Sequence, residues 1–95
     1  MTYQYHDESI IKTLAEDTTF VFGSNLAGEH SSGAAKTALE HFGALNGVGR
    51  GWSGQSFAIP TMNEHLQQMP LSQIQHYIDD FKTYTKNHPK NKYFL

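Results

Sequence analysis

Apolar residues recur along this chain with two different spacings, and the alternation between them outlines a fold. Ile10, Ile11 and Leu14 sit at helical spacing and predict a short first helix over Asp7 to Glu16. Thr18 to Gly23 is β-branched and aromatic, the composition of a strand. Ser24 to Ser32 reads as a loop, and Ser32 is placed to cap a helix running to Phe42 or Leu45. Ala35, Ala38, Leu39 and Phe42 would share one face of that helix, and Gly43 is a plausible stop. Asn46 to Gln55 is a glycine-rich loop, and Ser56 to Pro60 a second strand closed by its proline. Met62 to Met69 is irregular. Pro70 to Asn87 carries the clearest helical pattern, with Leu71, Ile74, Ile78, Phe81 and Tyr84 or Thr85 on one face. Ser72 with Gln75 fits a capping box, and His88-Pro89 ends the helix. Lys92 to Leu95 starts a third strand.

The order α-β-α-β-α-β predicts an α/β fold in three layers: a mostly parallel sheet with helices on both faces. The 95 residues suffice for one small domain, or for part of one. A domain seldom stops on the first apolar residues of a strand, so the run Lys92-Tyr-Phe-Leu95 predicts an incomplete C-terminus, with a missing segment or a partner chain covering the sheet edge.

All eight glycines fall between Gly23 and Gly54. Glycine costs roughly 0.5–1 kcal/mol inside a helix or strand, so its concentration in a strand-to-helix connection needs a cause. Close approach of backbone to a ligand is one. In α/β folds this connection presents backbone amides and a helix N-terminus to anionic groups. The segment Gly23, Ser24, Asn25, Leu26, Ala27, Gly28, Ser31, Ser32 and Gly33 is therefore the candidate ligand-binding loop.

Two nucleotide motifs come near without fitting. Gly49-Arg-Gly51-Trp-Ser-Gly54 spells GxGxxG, but it follows a helix and precedes a strand, the reverse of the dinucleotide-binding order. It reads instead as a connection folded over the ligand's entrance, with Trp52 a stacking surface. Gly28 to Gly33 followed by Lys36-Thr37 resembles a phosphate-binding loop with two extra residues before the lysine. Two residues turn Lys36 by roughly 200° around the helix and away from the phosphates. Phosphate binding survives that objection, because the helix terminus still carries partial positive charge; nucleotide hydrolysis of the usual lysine-dependent kind does not.

Asn25 lies just past the first strand, where its amide suits a ribose hydroxyl pair; the alternative is a turn-forming asparagine. Ser24 touches ligand or caps a turn. His30, in the same loop, is a candidate general acid or base, against the plainer reading of a surface histidine. The six histidines include no i,i+4 pair and no HExxH, which argues against a metal site, and no cofactor is implied. Asp79-Asp80 point about 100° apart on a helix and do not form a dyad. The net charge of -2 and the lack of a basic stripe argue against nucleic acid as partner. No 18-residue apolar run and no signal-peptide core occur, so neither a membrane span nor secretion is expected, and the cytoplasm is the default compartment.

The runs Phe20-Val-Phe-Gly-Ser-Asn25-Leu-Ala-Gly28, Gly33-Ala-Ala-Lys36, Gly47 to Gly54 and Phe57-Ala-Ile-Pro60-Thr61 resemble small bacterial and phage proteins of macro-domain-like type. These are relatives of ADP-ribose-1''-phosphate processing phosphatases. The resemblance covers residues 19 to 95 and is tightest in the first loop. It implies a macro-like fold and an ADP-ribose-like small molecule as ligand. Asn25 would read the distal ribose, and the glycine loop would wrap the diphosphate. Whether it implies an enzyme (a phosphatase or ADP-ribosyl hydrolase, with His30 and Asn25 as catalytic residues), a module that only binds or sequesters a nucleotide, or an inactive fragment stays open. The usual consecutive glycines are absent, and the usual macro domain is larger.

Overall fold

The computed structural model describes residues 3–4, 15, 17–31 and 33–94. In chain order it holds β1 (Tyr3–Gln4), β2 (Thr18–Asn25), α1 (Gly33–His41), β3 (Gly51–Ser53), β4 (Ser56–Met62), α2 (Leu71–Asn87) and β5 (Lys92–Phe94). The helix expected over Asp7 to Glu16 and the capping role of Ser32 lie outside the described residues.

The strands form one mixed sheet in the order β1-β5-β2-β4-β3. β1 with β5, β5 with β2 and β2 with β4 pair in parallel, while β3 and β4 form an antiparallel hairpin. β2 is the longest strand. Its Thr-Phe-Val-Phe run suits a strand buried on both sides. Alternate residues of a strand face opposite ways. Accordingly Phe20 and Phe22 join Ala35, Ala38 and Phe42, so α1 covers one face of the sheet. Val21 joins Phe57, Phe81 and Tyr93, so α2 covers the other. The chain is thus a small α/β domain with a mixed sheet and, among the described residues, two helices.

β2 runs on through Ser24 and Asn25, which were read as loop, because both still pair with β4, and four further boundaries differ from the expected ones. β3 falls inside the stretch read as loop. Gly54, with φ of 56°, turns the chain back there, so that Ser53 pairs with Ser56 and Trp52 with Phe57. β4 runs through Pro60 instead of ending at it. Gln55 accepts from the Phe20 amide, so by alternation residue 60 turns away from β2, and β3 reaches only as far as Ala58. A missing N–H is harmless at that position. α2 starts at Leu71 after Pro70, with no side-chain cap bond. Ser72 is therefore inside the helix, Gln75 bonds Asp79 instead of closing a capping box, and Leu71 is exposed. β1 carries too few residues to show a pattern.

α1 ends as its glycine predicts. Gly43 has φ of 75°, and the Ala44 amide folds back 3.1 Å onto the Ala38 carbonyl, which also accepts from the Phe42 amide at 2.9 Å.

Candidate functional site

The loop from Asn25 to Ser31 leaves the carboxyl end of β2 and leads to α1. Its shape is set by one side chain. Asn25 is 6 % exposed, its Nδ2 donates to the Glu29 carbonyl at 3.0 Å, and its Oδ1 accepts from the Glu29 amide at 3.0 Å. The carboxamide thus imitates a strand pairing across four residues and closes the loop on itself. Each end keeps one further hydrogen-bonding position. The turn-forming reading of Asn25 is met here, and the residue also borders a depression.

The glycine loop from Gly43 to Arg50 packs directly on this turn. Ser24 donates its hydroxyl to the Gly49 carbonyl. Gly47 donates its amide to the Gly28 carbonyl at 2.9 Å. His30 donates Nε2–H to the Val48 carbonyl at 3.0 Å, the tautomer being fixed because a carbonyl only accepts. A Cβ on Gly28 would lie 2.3 Å from the Gly47 carbonyl carbon, and one on Gly49 would lie 1.9 Å from the Asn25 oxygen. Gly43 and Gly54 press on each other in the same way. These four glycines let chain approach chain. Gly23 differs: a Cβ there meets nothing within 4 Å.

Two depressions lie beside this assembly, at the carboxyl ends of β2 and β4. The smaller, about 170 Å³, is lined by Gly23, Ser24, Asn25, Glu29, Ser31 and Ala35 together with Met62 and Leu66. The larger, about 590 Å³, is lined by Leu26, Asn63, Glu64, Ser72, Gln73, His76 and Tyr77. Consecutive residues, Asn25/Leu26 and Met62/Asn63, separate the two. Leu66 stands at the lip of the smaller in a left-handed conformation (φ 62°) that costs an L-residue roughly 1–2 kcal/mol. Arg50, the sole arginine, stacks its guanidinium 5.0 Å from the Tyr77 ring centre and pairs with Asp80 at 2.6 Å, strapping the glycine loop to α2.

The amides expected to hold an anion are partly engaged. Those of Leu26, Gly28 and Glu29 bond Met62 O, Asn25 O and Asn25 Oδ1. Ser31 and Ala35, in the first turn of the helix that opens at Gly33, line the smaller depression, and the first amides of a helix have no partner within it. Ser32 lies outside the described residues. Glu29 and Glu64 place carboxylates on the linings, which favours hydroxyl donors over bare anions beside them.

His30 does not sit on the surface. It is 2 % exposed, packs edge-on against Phe22 with ring centres 5.3 Å apart, and its Nδ1 has no hydrogen-bond partner. A sealed imidazole whose one donor holds Val48 serves the packing of the two loops. Trp52 is also not where the loop reading puts it. It lies on β3 and lines a separate depression at the amino end of β2, with Thr18, Thr19 and Tyr84. Lys36 is exposed beside Glu40, as its rotation around the helix predicts.

Arg50, Leu66 and Tyr77 carried no readable signal. Arg50 joins this end of the molecule through Asp80 and Tyr77, while Leu66 and Tyr77 belong to it as residues lining the depressions. Among the described residues no group of histidine and carboxylate side chains is placed to hold a metal, and no helix is long and apolar enough to cross a membrane. The chain matches no protein-family profile, no curated protein and no solved structure.

Proposed function

We propose that the protein binds ADP-ribose or a related nucleotide derivative at the carboxyl ends of β2 and β4, in a three-layer, macro-like domain. The observation that carries this reading is the pair of adjoining depressions there, beside Asn25 and the start of α1. Ligands of open α/β sheets bind outside the carboxyl ends of parallel strands. The larger depression falls within the roughly 300–1,000 Å³ of ordinary ligand sites; the smaller suits a single ribose or phosphate group. In this reading the free positions of Asn25 and the Glu29 carboxylate take ribose hydroxyls. Ser31 and the first amides of α1 face the phosphates.

Binding without turnover is the form favoured over hydrolysis, on one observation: His30 is buried and bonded to Val48. Isothermal titration with ADP-ribose tests the reading. Saturable heat that weakens in Gly23→Val, a variant that fills the smaller depression, supports it. No heat at high micromolar ligand with a folded protein removes it. Release of phosphate from ADP-ribose-1''-phosphate, abolished in His30→Ala but kept in an equally destabilised control, would replace the binding module by an enzyme.

A further inference from the structure

The depression at the amino end of β2 has a different character from the two just described. It measures about 660 Å³ and is lined by Thr18, Thr19, Trp52, Gly54, Gln55 and Tyr84, closed off by His88 and Asn91. Its floor is aromatic. Trp52 stands opposite Phe57 in the β3–β4 ladder, Phe57 packs 4.9 Å from Tyr84, and Tyr84 stacks on His88 at 4.1 Å. Its rim is polar, and the described residues that line it include no lysine, arginine, aspartate or glutamate. The Tyr84 hydroxyl is held by the side chains of Thr19 and Asn91, which fixes the floor in place.

Trp52 is 58 % exposed on a three-residue edge strand. Neither a ring contact nor a hydrogen bond to its indole N–H occurs among the described residues. An exposed indole face beside uncharged hydroxyl and amide groups is matched by a ring with one apolar face and a belt of neutral hydrogen-bonding groups. A pyranose has that form. A charged ligand would find no counter-charge among the described lining residues, and a wholly apolar one would leave the amide and hydroxyl groups unpaired.

We propose that this depression is a binding site for a neutral saccharide, stacked on Trp52 and hydrogen-bonded by the Asn91 carboxamide, His88 Nε2 and the indole N–H. The site lies at the opposite end of the sheet from the proposed nucleotide site and stands independently of it.

The chain holds a single tryptophan, so its fluorescence reports on this site alone. The full chain is titrated with glucose, maltose, cellobiose and N,N'-diacetylchitobiose, with adenosine as comparator, and hits are repeated by calorimetry. At least one saccharide should give a saturable spectral shift with a Kd of about 1 mM or tighter. By calorimetry, Trp52→Ala should weaken that binding about tenfold or more, and Asn91→Ala should weaken it as well. Gly23→Val, at the other end of the sheet, should leave it unchanged. Three results overturn the proposal: no saturable shift from any saccharide up to about 10 mM, a response to adenosine alone, or binding that survives Trp52→Ala at full strength.

Discussion

Replacing Gly49 by alanine should cost the fold about 3–5 kcal/mol, and the figure follows from the contacts. The added Cβ would sit 1.9 Å from the Asn25 carbonyl oxygen and 3.1 Å from the Leu26 Cα, where ordinary contact begins near 3.4 Å. Both neighbours are backbone, so no side chain can rotate aside. The glycine loop must back away by about 1.5 Å to restore normal contact. That displacement breaks the Ser24 bond to the Gly49 carbonyl and the His30 bond to Val48. Overpacking alone costs about 1–3 kcal/mol. Each lost hydrogen bond adds roughly 1 kcal/mol, and more where a buried group is left unpaired. A domain of 95 residues has about 5–14 kcal/mol in total, so a large share disappears. Urea unfolding followed by circular dichroism measures it, with a parallel fall in Tm of about 15 °C or more. Gly47→Ala calibrates the result. It meets no atom within 4 Å but has φ of 87°, so it should cost only about 1–2 kcal/mol. Gly23→Ala meets nothing and lies in a strand, so it should leave stability unchanged or raise it by up to about 1 kcal/mol. A loss below about 1 kcal/mol for Gly49→Ala would refute the account of the glycine loop as held by chain-to-chain contact.

Three further outcomes are expected. His30→Ala should destabilise by about 3–4 kcal/mol through a cavity and a lost bond; His30→Phe should cost at least about 1 kcal/mol less, since it refills the space and removes the unpaired Nδ1, and equal losses in denaturant melts would contradict this. Leu66→Gly should stabilise by about 0.5–1 kcal/mol by relieving a left-handed backbone, while weakening any ligand held at that lip in calorimetry. Burial holds the Tyr84 phenol above its usual 10.0, although hydrogen bonds from Thr19 and Asn91 pull the other way. The folded chain then keeps this proton where the unfolded chain has lost it. Tyr84's contribution is therefore whole below about pH 10 and is lost as pH rises through the folded-state value; Tm should fall more steeply between pH 10 and 12 in the wild type than in Tyr84→Phe.

How far the fold was legible depended on how locally each element is specified. β2 follows from its β-branched and aromatic run and α1 and α2 from period-3.6 patterns, each carried by its own residues, and Gly43 marks its helix end by chemistry that a lone glycine shows. β3 did not show, because Gly51-Trp-Ser53 becomes a strand only by pairing with Ser56–Ala58. The site divides in the same way. The position of Asn25 at the strand end is a local fact and was readable. The engagement of its amide with Glu29 was one of two open readings. The glycines misled most. Their clustering signals close approach, but what approaches Gly28 is Gly47 and what approaches Gly49 is Asn25, partners 19 and 24 residues away. Sequence proximity to a helix start made a ligand look like the cause. His30 was misplaced for a related reason: nothing near it in the chain announces that Phe22 and Val48 enclose it.

Pro60 has a consequence for how the molecule behaves in a crowd. β3 covers the outer side of β4 as far as Ala58, and from Thr61 onward the Met69 amide and the Gln68 bridge to Met62 take over. The interval between these two covers is where the proline stands, on the side away from β2. Pro60 is less than 2 % exposed and has no N–H, so a neighbouring copy arriving there meets neither a free donor nor an open length of strand. The residue that looks like an interruption of the strand is what keeps this flank of the sheet from recruiting another.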